Sequence, residues 1–138
     1  KSKIRIVCFT NGTTLTDKKI LVSLRLLDEC CVKLDAGWKR VNLPCVAYNP
    51  RSLVPELKKI KNLVLQSCFF EGSATNTDAD SINTWIAEIQ HTKPRRIDIY
   101  TLSRRTPTRG LRPASPSTLK KIARLLKKTI GVPVRIFE

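Results

Sequence analysis

Five short apolar runs, rich in β-branched residues, recur along this 138-residue chain with starts 26 to 36 residues apart. They are IRIVCF (4–9), CCVKLD (30–35), NLVLQSCFF (62–70), RIDIYTL (96–102) and VPVRIF (132–137). The stretches between them show helical periodicity, which is typical of βα units because a parallel strand needs a helical crossover. An eight-stranded barrel takes about 250 residues. The rhythm therefore predicts an α/β fold with parallel strands, either part of a barrel or an open doubly wound sheet.

The stretches between these runs also carry signals for helix starts. Ser, Thr and Asp are preferred N-caps, and we expect them at Thr16, Ser52, Thr77 or Asp78, and Ser115. The last helix has the clearest amphipathic face, with a proline after its cap, two lysines in its final turn, and Gly131 at its end. Part of the basic charge of the chain therefore belongs to the solvated side of a surface helix.

Ligands of parallel α/β folds bind at the carboxyl ends of the strands. Four loops follow strands here: TNGTTL, DAGWKRVNLP, EGSATNTDAD and SRRTPTRGLRPASPS. We expect the functional side chains of this chain to lie on these loops and on the last residues of the strands before them.

The net charge is +15, and the segment 93–128 alone holds twelve basic residues and one acidic residue. Such a basic region makes polyanions plausible partners. At 41% hydrophobic residues and with no membrane-length apolar run, we expect one globular domain, no membrane partner, and a location in the cytoplasm or an organelle matrix.

The five cysteines show no CxxC spacing and lie mostly inside apolar runs, which favours buried free thiols in a reducing compartment over a metal site or disulfides. The single histidine, His91, and the lack of a G-x-S-x-G turn leave no catalytic constellation to propose. We therefore predict neither catalytic residues nor metal ligands in this chain.

The order of several weak motifs is more specific than any one of them. TNG is followed by VKLDAG, then by LVLQSCFFEG and DSINTWIAEI, and then by KPRRIDIYTLSRRTPTRGLRPAS. Over nearly the whole chain this order resembles the C-terminal half of radical S-adenosylmethionine enzymes. The resemblance implies part of a (β/α)6 barrel that holds S-adenosylmethionine and a [4Fe-4S] cluster.

The chain departs from that family in one respect that matters for chemistry. The CxxxCxxC cluster motif and the glycine-rich turn that precede the TNG strand in the family are absent from this sequence. Three thiolates on one short loop are needed to leave one iron open for the cofactor. We therefore expect residues 1–138 to be the C-terminal part of a partial barrel, with the N-terminal, cluster-bearing part outside the sequence.

The resemblance implies cofactor-facing residues at the strand ends. These are Asn11, Gly12, Lys33, Asp35, Gln66, Tyr100 and Arg104. Lys33 and Asp35 alternate on one face of a strand, where they could neutralise each other as a structural ion pair or offer hydrogen bonds to a ligand. For Gln66 and Tyr100 the alternative is a core role, as a satisfied amide and a packing aromatic.

The resulting function is the C-terminal portion of a radical S-adenosylmethionine-type protein, inactive by itself. Its open side would be covered by a complementary N-terminal segment or an oligomeric partner. The alternative is a degenerate barrel relative that binds RNA or serves as a ribonucleoprotein scaffold. Its phosphate contacts would be Arg105, Arg109, Arg112, Lys120 and Lys121. A flavodoxin-like sheet that binds a small phosphorylated ligand is a third, weaker reading.

Overall fold

The computed structural model describes residues 4–35 and 50–137. The strands are β1 (Val7–Thr10), β2 (Glu29–Lys33), β3 (Leu63–Gly72), β4 (Arg96–Thr101), β5 (Leu111–Pro113) and β6 (Val134–Phe137). The helices are α1 (Lys18–Leu24), α2 (Pro50–Leu57), α3 (Ala79–Ile89) and α4 (Pro116–Thr129). The predicted α/β fold and the five predicted strands are confirmed.

The main sheet follows chain order, β1-β2-β3-β4-β6, and every neighbouring pair in it is parallel. A doubly wound sheet of the flavodoxin type reverses its strand order at a switch point. The described sheet has no such reversal, so the flavodoxin-like reading is wrong.

One short strand was not predicted. β5 pairs antiparallel with the end of β3, where Phe70 lies opposite Pro113 and Gly72 lies opposite Leu111. The expectation that all strands run the same way is therefore wrong for β5. Its three residues, the last of them a proline, are too few to show strand periodicity in the sequence.

The two faces of the sheet differ because successive strand residues point to opposite sides. One face packs against all four described helices and forms the core, which contains Val32, Leu65 and Ile99 from the strands. On the other face, which we call the open face, Phe9, Gln66 and Asp98 line a cavity.

Helix starts were predicted with mixed success. Asp78 and Ser115 are the N-caps of α3 and α4, as expected, and their side chains accept from the backbone N–H three residues on. The cap of α1 is Asp17 and not Thr16. Ser52 is not the N-cap of α2, because that helix already begins at Pro50 and Ser52 lies in its first turn.

α4 has the predicted amphipathic face and ends with its two lysines in the last turn. None of the helices in the described ranges is long and apolar enough to cross a membrane. All the parallel strands end at the same edge of the sheet, so their last residues and the loops that follow form one neighbourhood.

Candidate functional site

Lys33 and Asp35 form an ion pair at the end of β2, with 3.1 Å between Lys33 Nζ and Asp35 Oδ2. Asp35 is 1% exposed, whereas the Lys33 side chain is 37% exposed. The other carboxylate oxygen of Asp35 accepts a hydrogen bond of 2.7 Å from the backbone N–H of Cys68. The pairing of two same-face charges anticipated from the sequence is therefore present.

Burial acts differently on the two members of this pair. It raises the pKa of Asp35 to about 6, and the attraction of Lys33 only partly opposes that rise. Burial is the largest single influence on Lys33 and works to lower its pKa, but the charge and hydrogen bond of Asp35 together with the neighbouring Tyr100 outweigh it, so that pKa is raised. Lys33 thus stays a cation at neutral pH, and its partly exposed side chain can reach a ligand.

Three side chains that sequence reasoning did not single out as site residues hold the end of β2 in place. Ser67 Oγ and Trp85 Nε1 both donate to the carbonyl oxygen of Leu34, at 2.6 and 2.9 Å. The buried amide of Asn76 donates to the carbonyl oxygens of Asp35 and Cys68, at 2.7 and 2.8 Å. The hydrogen bond from Trp85 therefore makes this tryptophan part of the support of the strand end next to Asp35.

Two cavities adjoin the ion pair. A cavity of about 510 Å³ at the carboxyl ends of the strands, which we call the mouth cavity, is lined by Lys33, Tyr100 and Arg104 among others. A second cavity of about 680 Å³ lies along the open face and is lined by Gln66 and Tyr100 among others. Tyr100 contributes to both, and its burial raises its pKa to about 12, so its hydroxyl remains protonated and able to donate.

The loop from Leu102 to Gly110 that borders the mouth cavity is held at its base and near its end. At the base, Thr101 Oγ1 donates to the carbonyl oxygen of Phe69 and accepts from the backbone N–H of Ala114, both at 2.7 Å. Near the end, the backbone N–H of Ser73 donates to the carbonyl oxygen of Gly110 at 2.9 Å. These bonds fix both ends of the loop on the sheet.

Asn11 and Gly12 lie where predicted, after β1, and both have local structural roles. Asn11 Oδ1 accepts from the backbone N–H and the hydroxyl of Thr13, at 3.1 and 2.9 Å. Gly12 has a φ of 79°, and a Cβ there would come within 2.8 Å of Leu53 Cδ1. Contact of either residue with a cofactor stays a prediction.

A charged network on the open face was missed in the sequence. Arg96 donates to both oxygens of Glu29, at 3.0 and 3.2 Å, and to both oxygens of Asp98, at 2.7 and 3.1 Å. Arg5 also pairs with Glu29. The hydrogen bonds from Arg96 are the largest cause that lowers the pKa of Glu29. The available signal was the spacing of Arg96 and Asp98, which puts both on one face of a strand, as for Lys33 and Asp35.

The residues of the nucleic-acid alternative are scattered over several elements. Arg105 lines the mouth cavity together with Arg104. Arg109, later in the loop, and Arg112, in β5, are exposed and are not among the residues that line that cavity. Lys120 and Lys121 are exposed on α4.

The described cysteines do not fit an iron–sulfur cluster. Cys8, Cys30 and Cys31 are free thiols, Cys30 packs in the helix-covered core, and Cys68 is a buried residue that lines the mouth cavity. Burial raises the pKa of Cys30 to about 11, which disfavours the thiolate that iron requires. Within residues 4–35 and 50–137 no three His, Cys, Asp or Glu side chains are grouped to hold a metal. Cys45, Trp38 and most of the loop after β2 lie outside the described residues.

The described cysteines do not fit the cluster, but the lining of the mouth cavity does fit S-adenosylmethionine. Its lining offers a cation at Lys33, a phenol at Tyr100 and a guanidinium at Arg104, which are donors that a carboxylate or ribose hydroxyl can use.

No family model matches the chain, and a search of curated proteins gave no match either. Two solved structures are similar in fold. A domain of pyruvate-formate lyase-activating enzyme from Bacteroides vulgatus superposes with a TM-score of 0.74 at 10% identity, covering 98% of this chain and 82% of that one. A radical SAM methyltransferase from Sphaerobacter thermophilus superposes with a TM-score of 0.72 at 14% identity, covering 95% of this chain and 39% of that one.

This chain thus spans about two fifths of the methyltransferase. At these identities the likeness concerns the fold alone. The chain has the parallel α/β architecture of a radical S-adenosylmethionine-type partial barrel, as the order of its motifs predicted.

Proposed function

We propose that this chain is the C-terminal portion of a radical S-adenosylmethionine-type protein. Its strand ends face S-adenosylmethionine and the substrate, while the iron–sulfur ligands come from polypeptide outside the sequence. The chain is inactive by itself. The observation that carries this proposal is the parallel sheet in chain order, in which the ends of β2, β3 and β4 border one cavity lined by Lys33, Tyr100 and Arg104.

Each side chain has a defined part in this proposal. Lys33, held in place by Asp35, binds an anionic group such as the carboxylate of the cofactor. The protonated hydroxyl of Tyr100 donates to a ligand oxygen, and Gln66 offers its amide from the adjoining cavity. Asn11, Gly12 and Arg104 complete the predicted cofactor-facing set. S-adenosylmethionine would supply an adenosyl group and a sulfonium to this site.

A titration of the chain with S-adenosylmethionine, followed by two-dimensional amide NMR, tests this proposal. We expect shifts concentrated at Lys33, Gln66 and Tyr100. Lys33→Gln should weaken binding about tenfold, the usual effect of losing one hydrogen bond to a charged group. Lys59→Gln is the matched control, because Lys59 is also in an ion pair, with Glu56 on α2 at 2.8 Å, and lines neither cavity. Shifts confined to α4, or none at millimolar ligand, would contradict the proposal.

A second measurement tests the proposal that the chain is inactive by itself because it lacks the ligands of the iron–sulfur cluster. The chain incubated anaerobically with iron, sulfide and a reductant should develop no cluster absorbance in the visible range. Stable uptake of four irons per chain, with the matching absorbance, would show that its own cysteines hold a cluster and would overturn this part of the proposal.

The second candidate function, binding of RNA, is favoured by the exposure of Arg105, Arg109 and Arg112 on one segment. Phosphate contacts release counterions, so the affinity for a single-stranded RNA should fall steeply with salt, by a slope of about 0.7 in the logarithmic plot for each arginine that takes part. Arg109→Gln/Arg112→Gln should then reduce both the affinity and the slope. An affinity that does not change with salt would dismiss this candidate.

A further inference from the structure

The mouth cavity has a lining that is positive in charge and partly apolar. Lys33, Arg104 and Arg105 supply its charged side chains, and within the described ranges 4–35 and 50–137 no Asp or Glu lines it. Because Asp35 already neutralises Lys33, the excess charge comes from the two adjacent arginines. Among the described residues neither Arg104 nor Arg105 takes part in an ion pair, so both guanidinium groups are available to a ligand.

The arginines sit on a segment whose ends are fixed. Thr101 anchors the segment where β4 ends, and the pairing of Gly110 with Ser73 anchors it before β5. Inside the segment, Thr106 Oγ1 donates to the carbonyl oxygen of Thr108 at 2.9 Å, which closes a tight turn. A loop held in this way loses less conformational entropy when a ligand binds than a free chain would.

Part of the remaining lining of the cavity is apolar or aromatic and comes from Phe70, Tyr100, Leu102, Pro107 and Leu111, and hydroxyl side chains such as that of Ser103 line it as well. A volume of about 510 Å³ accommodates a small organic molecule. The cavity therefore combines an apolar or aromatic wall with the guanidinium-bearing side chains of two consecutive arginines of the loop.

We propose that the mouth cavity binds a small organic phosphate, a phosphomonoester whose phosphate is held by Arg104 and Arg105 and whose body packs against Phe70 and Leu111. The further assignment of this cavity as the substrate site of the protein rests on the function proposed above. The binding of the phosphomonoester itself does not depend on S-adenosylmethionine.

A phosphomonoester fits this lining better than a carboxylate does. It carries a charge of about −1.5 to −2 at neutral pH and has three acceptor oxygens, whereas a carboxylate carries one charge and has two oxygens. Two guanidinium groups and the nearby hydroxyl of Ser103, which also lines the cavity, offer more donors than one carboxylate can use. A long nucleic acid would instead be expected to engage Arg109 and Arg112 as well.

The test compares three probes that share one ring: phenyl phosphate, benzoate and phenol, each titrated into the chain and followed by amide NMR. We expect phenyl phosphate to bind most tightly, benzoate about tenfold more weakly, and phenol not measurably. Shifts should concentrate between Leu102 and Leu111. Equal binding of benzoate and phenyl phosphate would overturn the phosphate assignment, and tighter binding of phenol would overturn the anion site altogether.

Matched double variants locate the charge that matters. Arg104→Gln/Arg105→Gln should weaken phenyl phosphate binding by tenfold or more, because each lost charged hydrogen bond is worth about a factor of ten. Arg109→Gln/Arg112→Gln removes the same charge from the same segment but outside the cavity lining, and should change the affinity less than twofold. Equal losses in both variants would mean diffuse surface attraction, or a nucleic-acid surface, and would overturn the proposal.

The two proposals can fail separately. If S-adenosylmethionine does not bind but phenyl phosphate does, and depends on Arg104 and Arg105, the phosphate site stands and the cofactor assignment falls. If S-adenosylmethionine binds and phenyl phosphate does not, the phosphate site falls. Both titrations use the same 138-residue chain, and the amide spectra of the variants verify that they are folded.

Discussion

The fold buries the carboxyl group of Asp35 away from water. It is 1% exposed, and Lys33 and the backbone N–H of Cys68 are among its polar contacts. Its pKa is raised to about 6 because the loss of water outweighs the attraction of the lysine. The ion pair holds Lys33 next to the mouth cavity, and we propose that orienting Lys33 there is the role of Asp35.

The raised pKa of Asp35 makes the stability of the protein depend on pH in a definite direction. Between pH 3.8, the pKa of Asp35 in the unfolded chain, and about pH 6, its pKa in the folded protein, the folded state binds more protons than the unfolded state. The contribution of Asp35 to stability is therefore complete below this window and is lost as the pH rises through it. The loss should be about 3 kcal/mol. Urea unfolding at several pH values, compared with Asp35→Asn, measures it. A difference between the two proteins that stays flat or rises through this window would contradict the prediction.

Arg96 is the residue on which the charged network of the open face depends. Its side chain is 15% exposed and pairs with two carboxylates, whereas Arg5 is 60% exposed and, among the described carboxylates, pairs with Glu29 alone. Arg96→Gln leaves the carboxylates of Glu29 and Asp98 without their main partner. It should lower the free energy of unfolding by about 3 kcal/mol. Arg5→Gln should cost less than about 1 kcal/mol, because exposed pairs contribute little.

The pH dependence gives an independent check on this role of Arg96. The lowered pKa of Glu29 contributes stability that is present above the unfolded pKa and lost as the pH falls through the folded value, and the hydrogen bonds from Arg96 are its largest cause. In Arg96→Gln this acid-side loss should shrink. Urea unfolding at several acid pH values measures this loss. If the loss of stability is equal in Arg96→Gln and Arg5→Gln, Arg96 has no special part in lowering the pKa of Glu29.

At the level of elements, the contact between β3 and β5 is set by two glycines. Gly72 has a φ of 116°, and a Cβ there would lie 2.0 Å from the carbonyl oxygen of Gly110. Gly72→Ala must therefore move backbone as well as strain its own dihedrals, and should destabilise the protein by about 3 kcal/mol. Gly131→Ala, at a φ of 75° with open space around it, should cost only the dihedral strain of about 1 kcal/mol.

Both glycine variants can be compared by urea unfolding, and the loop supplies a second readout. Because Gly110 ends the loop that carries Arg104 and Arg105, Gly72→Ala should also weaken phenyl phosphate binding, while Gly131→Ala should not. Equal effects of the two substitutions would mean that the close approach of the two glycines does not hold the loop.

Strands and helices that carry a local sequence pattern could be predicted, whereas contacts between residues far apart in the sequence could not. The apolar runs around Leu65 and Ile99 indicated buried parallel strands, and Ser115 with Pro116 marked the start of α4. The partners Glu29 and Arg96 lie 67 residues apart, so they meet only through the register of three strands. Asn76 and Trp85 escaped notice as supports because they donate to backbone carbonyl oxygens, which leave no trace in side-chain patterns.

Across the whole molecule, the sheet is left open at both edges, β1 and β6, within the part of the chain that the structure describes. Phe9 is 69% exposed and Phe137 is 50% exposed, and both line the cavity of the open face. Unpaired strand edges beside exposed apolar side chains favour association. We therefore propose that a complementary segment, or a second copy of the chain, covers this face.

Light scattering across a range of concentrations tests this last proposal. The isolated chain should show an average mass above its 15.6 kDa that rises with concentration. Phe9→Ser should weaken the association about tenfold, because burial of a phenylalanine side chain is worth roughly 1.5–3 kcal/mol. Leu26→Ser is the control, since Leu26 is 84% exposed but follows α1, away from the open face. A monodisperse monomer at every concentration, or equal effects of both substitutions, would show that the open face needs no partner.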